Sequence, residues 1–260
     1  MRASAQGRWI RQARCWTGLL ALLTVCAAGP DPAPAGIWHY NAVLVAGDGS
    51  LPVFDNATRA MRKRLAGDQV APSDIRLLSA DLDVVRQGGG NVARLGRILG
   101  AIAGLRAVPG KGCFVYATSH GTFERGLALT ASRSYLTPAA LDGALTRGCG
   151  SAPTVVIVSG CFTGGFAAVP MARPTRIILT AASGDRPSFG CGAGREFTVY
   201  DDCLLQALDG AILWPEVYSR TIACVTRQEL AMDAPPSFPQ AYFGADVAGL
   251  PVPKPGQVPR

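Results

Sequence analysis

The stretch Pro153 to Phe166, P-T-V-V-I-V-S-G-C-F-T-G-G-F, decides how the chain is read. Val155 to Val158 are four consecutive β-branched apolar residues, the composition of a strand buried on both faces. They run into Cys161, with Gly160 before it and Gly164 and Gly165 soon after. A second run, Cys113 to Gly121 (C-F-V-Y-A-T-S-H-G), follows the same plan and ends on His120. A buried strand thus delivers a reactive side chain twice, once a thiol and once an imidazole.

The 260 residues are 48% apolar and 17% charged, which suits one α/β domain with a sizeable core and excludes global disorder. The formal charge of +7 suggests an anionic partner, but Arg2, Arg8, Arg11 and Arg14 supply four of those charges. They precede the apolar run Trp16 to Val25 and the small residues after Cys26, the pattern of a secretory signal. That run is well short of the ~20 residues a spanning helix needs. Without the four arginines, 7 − 4 leaves +3, and no nucleic-acid partner is expected.

The organisation expected is a signal peptide over 1–28, a linker over 29–36, a catalytic domain over 37–231 and a Pro-rich extension over 232–260. Ordinary cleavage after Ala27 or Ala28 competes with a second reading. Leu23-Thr-Val-Cys26 resembles a lipobox, although Val25 is bulkier than the usual residue there. A membrane is involved only through the signal or a lipid on Cys26. The mature protein is expected to be exported, periplasmic or secreted, or anchored as a lipoprotein.

Along the chain, strands are expected at Asn41–Ala46, Asp74–Leu78, the His-bearing run, the Cys-bearing run and Arg176–Thr180. Helices alternate with them. One is capped by Asn56, with Ala57, Met61 and Leu65 on its inner face. Another follows Gly88–Gly90, and a third starts at Thr137-Pro138 and runs to about Arg147. Two more lie over 201–208 and 214–230, and beyond Met232 the chain is expected to wrap the surface. Alternating elements imply an α/β fold: a mostly parallel sheet of about six strands with helices on both faces. Such sheets gather functional groups at the carboxyl ends of their strands, where His120 and Cys161 both fall.

A free thiol is only slightly ionised at neutral pH, so a cysteine nucleophile needs a base beside it. The chain has two histidines, and His39 lies near the linker. His120 precedes Gly121, whose N–H, with that of Cys161, could hold the oxyanion of a tetrahedral intermediate. Taken singly, each residue is more often a buried thiol or a satisfied core histidine; their shared placement at strand ends, each beside glycine, favours catalysis. Two histidines and no C-x-x-C pair give no zinc spacing, and no metal or other cofactor is expected. There is no G-x-S-x-G elbow, dinucleotide fingerprint or P-loop.

The order strand–His–Gly, then strand–small–Cys about forty residues on, resembles the caspase-like cysteine peptidase clan. Within it the chain is similar to the legumain family, peptidase family C13, and to its bacterial exported members in particular. The matching stretches are V-L-V-A-G-D-G at Val43 to Gly49, T-S-H-G at Thr118 to Gly121 and V-S-G-C-F-T-G-G-F at Val158 to Phe166. They continue with I-L-T-A-A-S-G-D-R-P-S-F-G-C at Ile178 to Cys191 and F-T-V-Y-D-D at Phe197 to Asp202.

The resemblance implies a three-layer caspase-like fold, a Cys161 nucleophile, His120 as proton donor and acceptor, and an oxyanion site at the Gly121 and Cys161 amides. It implies a peptide or protein substrate, cleaved through a thioester or transferred to an amine. Legumains carry an acid two residues before the cysteine, where this chain has Ser159, and an aspartate before the histidine, where it has Ser119. Their pocket arginine aligns with Asp55, and their pocket aspartate is matched to Asp202, with Ser183 also placed in the pocket. Asparagine specificity therefore does not carry over, and a basic or small polar P1 side chain is the reading left. A non-catalytic envelope binding protein and a thiol transpeptidase or amidase remain as alternatives.

Six cysteines follow Cys26, and an exported chain meets oxidising conditions. With Cys161 as a nucleophile, five are left for two bridges and one spare thiol. Cys113 and Cys149 lie at or just before the amino ends of the two catalytic strands, which predicts a bridge opposite the site. Cys203 and Cys224, on successive helical segments, predict the second, leaving Cys191 spare; the alternative is that all five are buried thiols.

Overall fold

The computed structural model describes residues 39–253, apart from residues 69, 109 and 193. The signal, the linker, Cys26 and residues 254–260 lie outside the described residues. In chain order the elements are β1 (His39–Ala46), α1 (Pro52–Gly67), β2 (Ile75–Ser79), α2 (Leu82–Arg86), β3 (Asn91–Val92) and α3 (Leu95–Ala103). Then come β4 (Lys111–Thr118), β5 (Gly121–Thr122), β6 (Gly126–Leu129), β7 (Ser134–Leu136) and α4 (Pro138–Cys149). The last are β8 (Thr154–Ser159), β9 (Arg176–Thr180), α5 (Val199–Leu208), α6 (Trp214–Ala231) and β10 (Gln240–Phe243).

Seven strands form one sheet in the order β10-β9-β8-β4-β1-β2-β3. All neighbours pair in parallel except β10, which runs antiparallel to β9. Side chains alternate across a strand, and this alternation sorts the core into two layers. Phe114, Tyr116, Val155 and Ile157 face α1, α5 and α6; Val115, Ala117, Val156 and Val158 face α3 and α4. Helices on both faces of a mostly parallel sheet give the three-layer caspase-like architecture. Strands covered on both sides must be apolar at every position, which is why V-V-I-V reads without alternation.

Helix α4 begins where the sequence places it: Thr137 is its N-cap, with its hydroxyl accepting the Ala140 N–H at 3.2 Å. Helix α1 starts earlier than expected. Pro52, preset for a first helical turn, opens it after Leu51. Asn56 lies inside the helix, and its amide donates to the Glu196 carbonyl at 2.9 Å. The segment after Met232 does more than wrap the surface. It supplies the seventh strand, β10, and then Val247, Leu250 and Val252 to the layer under α1, α5 and α6. Prolines on either side of Q-A-Y-F hide that strand in the sequence. A small antiparallel sheet, β5-β6-β7, was also not expected, since strands of two to four residues carry no periodic signal.

Cys113 is bonded to Cys149, tying β4 to the end of α4, and Cys203 is bonded to Cys224, joining α5 to α6. Near the first bridge, buried Arg176 at the start of β9 reaches Asp142 of α4 at 2.7 Å, and Arg173 meets the same carboxylate at 2.8 Å. Their hydrogen bonds, Arg173 foremost, hold Asp142 below the ordinary carboxylate range against the opposing effect of burial. No described helix is long and apolar enough to cross a membrane.

The Cys113–Cys149 bridge spans 36 positions. In the chain-entropy view a loop of that size stabilises by about 4 kcal/mol. Replacing both cysteines with alanine should lower the unfolding free energy by roughly 2–4 kcal/mol in a urea titration. An unchanged midpoint would show that the bridge contributes nothing.

Candidate active site

Adjacent parallel strands carry the two reactive residues to neighbouring turns. Thr118 of β4 sits opposite Ser159 of β8 as the last pair of the ladder, and His120 and Cys161 each lie two residues past it, in the turns that follow. The Ser119 N–H donates to the Ser159 carbonyl at 3.1 Å, carrying the ladder one step past the strands. Two glycines then let the turns touch. A Cβ on Gly121 would lie 1.7 Å from the Cys161 carbonyl oxygen. One on Gly160 would lie 2.7 Å from the Ser119 carbonyl oxygen and 2.7 Å from the Leu127 side chain. The His-bearing and Cys-bearing turns are therefore in backbone contact, and neither glycine has room for a side chain.

His120 is half-buried and held on several sides. Its carbonyl accepts the Ala128 N–H at 2.7 Å, and the Ser119 hydroxyl donates to the Ala128 carbonyl at 2.8 Å. The small sheet thus anchors the turn. Phe54 of α1 packs edge-on against the imidazole, with ring centroids 5.2 Å apart. Cys161 carries a free, half-buried thiol. Its Sγ accepts the Ser188 N–H at 3.3 Å and faces the Ser188 hydroxyl at 3.7 Å, while the thiol donates to the Ser188 carbonyl at 3.4 Å. N–H and O–H groups aimed at a sulfur can stabilise negative charge there.

The second free thiol, Cys191, packs with Ala46, Val53 and Phe54 beside the site. Burial pushes its pKa up, and neighbouring Cys161 adds to the effect.

The other residues singled out from sequence are dispersed. Asp55, in the first turn of α1, is buried; desolvation raises its pKa and the Ser79 hydroxyl moderates the rise. Ser159 is buried at the end of β8. Ser183 donates to Asp185 at 2.6 Å and lines a cavity of about 500 Å³ with Arg186, Glu229 and Phe238. Asp202 turns away, accepting from the amides of Gln206 at 2.9 Å and Gln228 at 3.0 Å. It lines a groove of about 710 Å³ between α1 and α5, to which neither His120 nor Cys161 contributes.

Its neighbour Asp201 is the fully buried carboxylate. It accepts from the hydroxyls of Tyr116 at 2.7 Å, Thr118 at 2.8 Å and Thr198 at 2.8 Å. Desolvation raises its pKa, and the Tyr116, Ser159, Thr118 and Thr198 hydroxyls oppose that rise. Thr118 lies two residues before His120, so this carboxylate ties the end of β4 to the start of α5. A sequence signal existed in Thr198-x-x-Asp201, an N-cap and its third residue, and the Thr198 hydroxyl does accept the Asp201 N–H at 3.1 Å. Ser188 and Phe54 gave no comparable signal.

A three-layer sheet presenting a cysteine and a histidine from adjacent parallel strand ends has the arrangement of the caspase-like class. The profile of the Peptidase C13 family matches residues 101–212, from α3 through α5, and supports assignment of the chain to this legumain-like family. A comparison with curated proteins finds no match. At the level of the family, the assignment carries cysteine-type peptide hydrolysis and peptide or protein substrates.

Asp201 makes a pH-dependent contribution whose sign follows from its raised pKa. The folded state holds this proton more tightly than the unfolded one, so the contribution favours folding at acid pH. It is lost as pH rises from the ordinary value of 3.8 through the folded-state value. Asp201→Asn has no such proton. Wild-type stability relative to this variant should therefore increase as pH falls from 7 toward 4, read by urea unfolding across that range. A constant difference would show that Asp201 has the same pKa folded and unfolded.

Proposed function

We propose that the chain is an exported cysteine endopeptidase working through a Cys161–His120 dyad. The observation that carries this reading is the backbone contact of the two turns, with Gly121 against the Cys161 carbonyl just past the paired ends of β4 and β8. The Cys161 sulfur attacks the substrate carbonyl carbon, and His120 takes the thiol proton and delivers it to the departing amine. The oxyanion is received by the Gly121 and Cys161 amides. Water, deprotonated by His120, then cleaves the thioester, releasing the acid and restoring the thiol.

Phe54 restricts the imidazole to one side, and the Ser188 donors steady the sulfur. Asparagine specificity is not part of the proposal, since Ser159 is buried beside the Asp201 carboxylate. Export over a 1–28 signal is supported by the Arg-then-apolar N-terminus and by two disulfides, which persist in oxidising compartments. The catalytic unit is the 37–231 segment completed by the C-terminal stretch that supplies β10 and Val247, Leu250 and Val252 to its core.

The decisive experiment pairs a thiol-reactive probe with a peptide library diverse at P1. Cys161→Ala should abolish both labelling at that position and cleavage. His120→Ala should slow cleavage by about 10²–10⁴-fold. Cleavage persisting in Cys161→Ala, or labelling and turnover indifferent to both changes, defeats the dyad.

A further inference from the structure

Two phenylalanines flank the dyad, and the mechanism uses neither. Phe123 lies three residues past His120, between β5 and β6, and is 52% exposed. Phe162 directly follows Cys161. Their rings meet edge to face, with centroids 5.7 Å apart, so the pair bridges the His-bearing and Cys-bearing turns.

The backbone of Phe162 has φ 59 and ψ 27, the left-handed region that bulky residues rarely adopt. Glycine would take that conformation without strain. Such strain persists where the surroundings hold it, and here the Phe162 N–H donates to the Arg186 carbonyl at 2.8 Å. The turn therefore keeps an aromatic ring beside the nucleophile at a conformational cost. Phe238 offers a contrast. It too is exposed, but the Arg186 guanidinium covers its face at 5.1 Å. Among the described aromatic and guanidinium groups, Phe123 meets only Phe162, edge to face.

A peptide whose carbonyl carbon reaches Cys161 advances about 3.5 Å per residue, so its nearest side chains pass over these rings. Covering an exposed ring with an apolar side chain is favourable, whereas a charged one would lose hydration there. We propose that Phe123 and Phe162 form a subsite for an aromatic or large aliphatic side chain adjacent to the scissile bond. This rests on the peptidase reading for its occupant, a peptide.

The test uses the Cys161→Ala protein, which cannot turn substrate over, and fluorescent peptides of one length that vary at single positions. Equilibrium anisotropy should show Phe, Trp or Leu at one position binding about tenfold tighter than Ala, Asp or Lys. Adding Phe123→Ala should erase the preference, and Phe123→Leu should retain most of it. Phe162→Gly, which removes the ring and the strain together, should erase it as well while unfolding no earlier than its parent. Equal binding of apolar and polar peptides, no binding at all, or indifference to Phe123→Ala overturns the subsite. Wild-type turnover of the same peptides separates the two readings. Turnover without apolar preference overturns the subsite and leaves the peptidase; apolar preference in binding without turnover does the reverse.

Discussion

The backbone of Gly121 rests against the carbonyl of Cys161, and the carboxyl end of the sheet is built to keep it there. The β4–β8 ladder ends at Thr118 and Ser159, just before the two turns. Asp201, in the first turn of α5, holds Thr118 at the end of β4. From the side, the small sheet fixes the His120 carbonyl, and α1 offers Phe54 to its ring. Each of these contacts would be pointless if the two turns could separate. A glycine at both positions is the condition for the rest, because any Cβ would force them apart.

The two ends of the sheet are built differently. At the amino end, a disulfide and the Asp142–Arg176–Arg173 cluster bind β4 and β9 to α4. At the carboxyl end, polar turns with half-buried side chains leave a thiol and an imidazole within reach of a ligand. The Cys113–Cys149 bridge and this ionic cluster thus sit at the opposite end of the sheet from His120 and Cys161. The second bridge, joining α5 to α6, steadies the helix whose first turn carries Asp201.

The strands that form the site were legible because parallel strands covered on both faces must be apolar throughout, and V-V-I-V and C-F-V-Y-A-T stand out in a Gly-rich chain. The cysteine pairings were legible because strand order placed Cys113 and Cys149 at one end. Asp201 and Asp202 were harder to tell apart. Adjacent helical residues differ by about 100° of rotation, so Asp201 points into the core while half-buried Asp202 lines the groove between α1 and α5. Ser188 and Phe54 reach the site from distant elements, and no local pattern announces a contact made only by tertiary packing. The small sheet escaped for the opposite reason, its strands being too short to show a period.

The antiparallel strand at the chain's tail has a wider meaning for the domain. Without β10, β9 would end the sheet, and its unpaired backbone groups, flanked by buried Ile177, Ile178 and Leu179, would offer a template to any extended chain. A peptidase is surrounded by extended chains whenever it works. The C-terminal segment covers that flank, so the sheet ends on the four-residue β10, with prolines nearby on both sides, and not on the fully buried β9.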